Sequence, residues 1–322
     1  MNRREFLVGA AAVPVAMALG PRVGIARAAG TPLALVTADL ESHVVALELA
    51  SGEVVRRIRT GPGPRSIESG RQRLAVVAHT RHGVVSILGG ARLDVWKELD
   101  AFTEPRYTAV HPSQAIAYVT DSKSRQVVAV DLEHGLVVWR VDVPGPARHV
   151  SISADGDTVW TALGSTARKL AVLDTSAPRR PRLVRTIAPP FLAHDVVFAP
   201  DGRSIWVTSG SVRQIALYPP VSERPRRLIE ADAPPQHVAF GRGEVFVASG
   251  EDGTVRRHRL DGELLSRAHV PLDSYNVTFG WGSAVTPSLG RGTVSVLDGE
   301  GRLRRVRRIA KAAHDACIVY VA

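Results

Sequence analysis

A hairpin pattern that returns about every forty residues constrains this chain more than any other feature. The stretch HDVVFAPDGRSIWVTSG, residues 194–210, reads as two short apolar strands around an Asp201-Gly202 turn. Its relatives begin ARHVSISADGDTVWTALG at Ala147, PQHVAFGRGEVFVASG at Pro235 and SYNVTFGWGSAVTPSLG at Ser274. Weaker copies begin at Pro64 and Pro105. Aligning the first polar position of each gives Arg65, Arg106, Arg148, His194, Gln236, Tyr275 and His314, spaced by 41, 42, 46, 42, 39 and 39 residues. Each unit continues into a third strand of V-x-V type, three of which end in Asp131, Asp174 and Asp298, and then a more polar fourth strand. One short hairpin cannot stand alone in water. Four strands in each ~40–45-residue unit are the arithmetic of a propeller blade.

The ends of the chain are offset by one strand. The repeat region opens on LALVTAD, a second strand, and closes on HDACIVYVA, a first strand. The sequence therefore predicts an all-β, seven-bladed propeller of four-stranded antiparallel blades, with one ring of residues 29–322. Three N-terminal strands and one C-terminal strand share a blade, which leaves no unpaired inner edge. The 28 Gly and 21 Pro suit a chain that turns often.

Residues 1–28 read as an export signal. Arg3-Arg4-x-Phe6-Leu7 precedes an apolar run to about Gly20 and the small-residue stretch ARAA at Ala26–Ala29. This resembles a twin-arginine signal, and it implies the export machinery as a partner and a periplasmic or secreted destination. The apolar run is short for a membrane span, so none is expected in the mature chain. A single Cys317 excludes an internal disulfide. The formal net charge is +10, and removing four Arg and one Glu with residues 1–28 leaves about +7.

The segments AYVTD (117–121) and IWVTS (205–209), the V-x-V-x-D third strands and FAPDG before Ile205 resemble YVTN-repeat β-propellers. The resemblance spans the repeat region, although Asp121 stands where that motif has Asn. Its wider group contains exported binding proteins, lactonases and quinoprotein or haem-associated subunits, so it implies architecture and leaves function open.

The heads of the inner strands give two aligned polar slots. The first holds Arg65, Arg106, Arg148, His194, Gln236, Tyr275 and His314; the second holds Ser66, Tyr107, His149, Asp195, His237, Asn276 and Asp315. Arg65, Arg106 and Arg148 come from consecutive blades and suit an anionic ligand. His149, His194, Asp195 and His237 also come from consecutive blades. Imidazoles beside a carboxylate can bind a divalent metal or act as a general base with an orienting acid. Polar strand heads also serve simply to satisfy crowded backbone groups, and that bland reading weighs most on His194 and His314. The loops at the same end offer His79, Arg81, His82, Asp121, Lys123, Glu251 and Asp252 as rim contacts. The arginine runs at 179–185 and 302–311 read as charge that protects outer strands from edge pairing. Nucleic acid is not expected, because aromatics do not interleave them.

No CxxCH, GxSxG, P-loop or GxGxxG signature occurs. The expectation is a binding or scaffold protein that presents this Arg/His-rich mouth to an anionic small molecule, a polymer or a protein partner. A lactonase-type hydrolase using His149, His194 or His237 as base is one alternative, and an accessory propeller of a quinone-dependent dehydrogenase is another. The sequence assigns no metal and no cofactor.

Overall fold

The computed structural model describes residues 30–70, 74–89, 92–164 and 168–321; the expected export signal, residues 1–28, lies outside them. Among these residues there are 28 strands and no helix, and they form seven four-stranded antiparallel sheets. Blade 1 joins Ala316–Val321 to Thr31–Ala38, His43–Glu48 and Val54–Arg59. Blades 2 to 7 follow in order at 66–99, 105–142, 150–187, 193–230, 238–269 and 278–308. The predicted closure holds: Thr31 pairs with Val321 and Val36 with Ala316. No helix is long and apolar enough to cross a membrane among the described residues.

Middle strands such as Ile116–Asp121 and Ile205–Ser209 are buried on both faces, which is why their sequences run apolar without alternation. The core lies between blades. Trp160 of blade 4 meets Phe198 and Tyr218 of blade 5, while Trp206 of blade 5 meets Phe240 of blade 6. Blade-to-blade polar bonds add direction to this packing. Thr37, Thr120 and Thr208, each in a second strand, donate to the carbonyls of Arg65, Arg148 and Gln236 in the next blade. Each also accepts the amide of its own blade's inner strand, from Asp315, Tyr107 and Asp195 respectively. The threonine of the V-T segments is thus a rivet between blades.

Candidate functional site

The seven inner strands surround a central cavity of about 240 Å³. Its walls include Ser66, Tyr107, His149, Asp195, His237, Asn276 and Asp315, the whole of the second slot. No residue of the first slot lines it. Arg65 and Arg106 instead line a neighbouring cleft with Arg81, Glu104 and Lys123. Sequence alignment therefore separates channel wall from rim.

Much of the polar wall holds the ring together. Asp195 accepts the amides of Val196 at 2.8 Å and of Val238, in the next blade, at 3.2 Å. Asp315 does the same with Ala316 at 2.8 Å and Ile67 at 3.0 Å. The two Ala-His-Asp segments are thus equivalent blade staples. Their histidines differ. His314 binds the Arg65 carbonyl at 2.9 Å, and burial followed by the Arg65 charge lowers its pKa to about 3. The His194 ring packs on His149 and His237 instead, with ring centroids at 4.5 and 5.5 Å. Asn276 donates to the His314 carbonyl, Gln236 accepts the Gly250 amide, and Tyr275 turns to Asp273. Of the rim loops, Asp121 caps the amides of Thr103 and Glu104, and His79 binds Pro62 and Ser86.

Three imidazoles from blades 4, 5 and 6 remain. One nitrogen each from His149, His194 and His237 lies within 4.8 Å of the others. His149 Nε2 and His237 Nε2 are 3.2 Å apart. Two nitrogens on a tetrahedral ion at ~2.05 Å are separated by about 3.4 Å, so this pair is already at ligating distance. His237 Nδ1 faces Asp195 Oδ2 at 3.4 Å, the carboxylate support that orients a ligating imidazole. Tyr107 reaches across from blade 3: its ring lies tilted against His149 with centroids 3.8 Å apart, and its hydroxyl lies 3.5 Å from His237 Nε2. His149 buries Nδ1 without a hydrogen bond. Burial first, then repulsion from the neighbouring histidines and Arg148, holds His149 and His194 neutral well below the usual imidazole range. Burial likewise keeps the Tyr107 phenol protonated.

The arginine trio divides. Arg65 lies 3.6 Å from Asp39, and Arg106 pairs with Glu104. Arg148 has no ion pair among the described residues and buries Nε without a partner. Burial and then the charges of Arg106 and Arg65 lower its pKa, although Tyr107 offsets part of this. Glu68 lines the same central cavity with its side chain open to the channel space. Desolvation, then the charges of Asp315 and Asp195, push its carboxyl up to about 8. Glu68 was not among the residues expected from the sequence; the available signal was its charge at a position where the other blades carry Ala109, Ser151, Val197, Ala239, Thr278 and Cys317.

No family model and no curated protein sequence matches this chain. Solved structures do. A functionally unknown protein from Desulfotomaculum acetoxidans DSM 771 is similar with a TM-score of 0.80 and 11% identity, over 90% of this chain and 99% of that one. Apo AztD from Citrobacter koseri gives 0.71 and 13%, over 90% and 98%. Hydrazine synthase from Kuenenia stuttgartiensis gives 0.63 and 19%, over 74% and 77%. At these identities the likeness extends to the backbone alone, and by architecture this chain is a seven-bladed β-propeller.

Proposed function

We propose that this chain is an exported binding propeller of YVTN type whose channel mouth holds a divalent transition-metal ion. The observation that carries this reading is the meeting of His149, His194 and His237, with their donor atoms within 4.8 Å and Asp195 behind His237. Three imidazoles are a donor set suited to zinc or copper, and Asp195 supplies the supporting acceptor. The His149–His237 pair needs no movement, whereas the His194 ring closes a gap of up to about 1.4 Å to complete a tetrahedral face. The hydrolase alternative is less well served. A general base works best with a pKa near the working pH, and two of the three imidazoles are held far below it. That same neutrality suits a metal ligand, because protons do not compete for the nitrogen. Arg148, unpaired beside His149, is the remaining group for an anionic ligand at this mouth.

The test is native mass spectrometry of the mature protein titrated with Zn²⁺, beside the His149→Gln/His237→Gln variant. One retained zinc per wild-type chain, absent from a variant with unchanged circular dichroism, supports the reading. No retained zinc, or equal retention by the variant, overturns it.

A further inference from the structure

The arginine-rich outer strands are not electrically alike. In blade 4, Arg182 pairs with Asp174 at 2.7 Å, and the nearby Arg179 reaches Asp131 at 2.6 Å. In blade 6, Arg256 and Arg267 share Asp232, Arg257 faces Glu244, and Arg259 faces Glu263. In blade 7, Arg302 and Arg304 share Asp298. These runs are neutralised.

The seam between the outer strands of blades 7 and 1 is different. Arg305 and Arg307 of Leu303–Arg308 donate to the carbonyls of Ala50 and Gly52 in blade 1, and Arg57 of Val54–Arg59 donates back to Ile309. Arg56 donates to the Arg92 carbonyl. Carbonyls satisfy the guanidinium donors but cancel no charge. With Arg59 and Arg308, six arginines without ion pairs among the described residues lie on two adjacent blades. Aliphatic side chains stand among them in the open: Val55 is 52% exposed, Val306 44% and Leu303 40%. At the blade 2 edge, Arg59, Lys97 and the 42%-exposed Trp96 line one open groove. Glu98 shares that groove but accepts a hydrogen bond from Ser86.

We propose that this face, running from the blade 7 outer strand across blade 1 to Trp96, docks the propeller on an anionic phospholipid surface. Charge complementarity supplies the attraction, at unpaired guanidiniums that lose no internal partner on binding. Val55, Leu303 and Val306 enter the headgroup layer shallowly, and Trp96 takes the amphipathic position that indoles favour there. Nucleic acid fits less well, since a strand-binding surface stacks successive bases on several aromatics and this face has one. The expected association is peripheral and reversible by salt.

The experiment is sedimentation of the mature protein with vesicles of phosphatidylcholine alone or with one third phosphatidylglycerol. The variant is Arg56→Gln/Arg59→Gln/Arg308→Gln, which spares the three arginines that stitch blades 7 and 1. Arg182→Gln, in a neutralised run, is the control. At about fivefold per arginine, the triple variant should lose roughly a hundredfold in partitioning to anionic vesicles, and the control nothing. Wild-type binding should vanish on neutral vesicles and in high salt. No binding to anionic vesicles overturns the proposal. So does full retention by a folded triple variant, or tighter binding to single-stranded DNA than to vesicles.

Discussion

Replacing Asp315 with asparagine should change how the stability of the ring depends on pH. Burial raises the Asp315 carboxyl from 3.8 to about 6, against lowering contributions from His237 and from the Ile67 and Ala316 amides. The folded chain therefore holds this proton more tightly than the unfolded chain. The sign follows: the favourable contribution is complete below pH 3.8 and is lost as pH rises through about 6. Between pH 4.5 and 7.5 the two titration curves differ by roughly 1.4 pH units, which is about 2 kcal/mol. The substituted amide cannot ionise. Whatever Asp315→Asn costs at pH 4.5 through its imperfect amide contacts, the variant should gain about 2 kcal/mol on the wild type by pH 7.5. Glu68 loses the repulsion of Asp315 in the variant and is pushed up less there, which adds to the variant's gain as pH rises. Urea unfolding in the presence of a chelator, at five pH values across that range, measures the difference directly. Parallel stability curves, or a variant that falls further behind as pH rises, would refute the argument that burial dominates at this carboxyl.

Thr208→Val should destabilise the ring by about 2 kcal/mol, since it removes the acceptor for the Asp195 amide and the donor to the Gln236 carbonyl; thermal unfolding reads this. Gly292→Ala should cost more than about 3 kcal/mol or abolish soluble expression, because a Cβ there would sit 1.9 Å from the Ala310 carbonyl oxygen at a φ of +62°. Zinc affinity should fall by less than about tenfold from pH 7.5 to 5.5, because burial already keeps His149 and His194 unprotonated; calorimetry at both pH values decides. Cys317 should resist a thiol reagent until the protein unfolds, as burial pushes its thiol far up.

The fold was legible because each blade repeats the same local pattern, and the strand-head alignment went further than the fold. All seven residues of the second slot line the channel, a result that spacing alone predicts once the ring is accepted. Spacing cannot say which wall residues touch. Tyr107 and His237 stand three blades apart, and their contact depends on side-chain reach and rotamer. Nor does it separate His194 from His314, which occupy the same slot in identical Ala-His-Asp segments. The Arg65 carbonyl lies ready for one, and two other imidazoles surround the other. The arginine runs were equally ambiguous in the sequence. Asp298 reaches Arg302 and Arg304, but no carboxylate pairs with Arg305, Arg307 or Arg308 among the described residues.

The shared first blade makes closure of the ring depend on two segments nearly three hundred residues apart in the chain. Ala316–Val321 is the described strand furthest along the chain from Thr31–Ala38, yet it is the inner strand against which Thr31–Ala38 must pair. Until the two meet, the folding chain can have six complete blades but only an open arc. Loss of residues 316–321 would therefore remove a latch on the whole circle, leaving a molecule with nearly all its sheets and no channel to enclose. Conversely, Thr31 and Val321 already pair, so a short linker between the ends should permit new termini in another blade's loop with the circle intact.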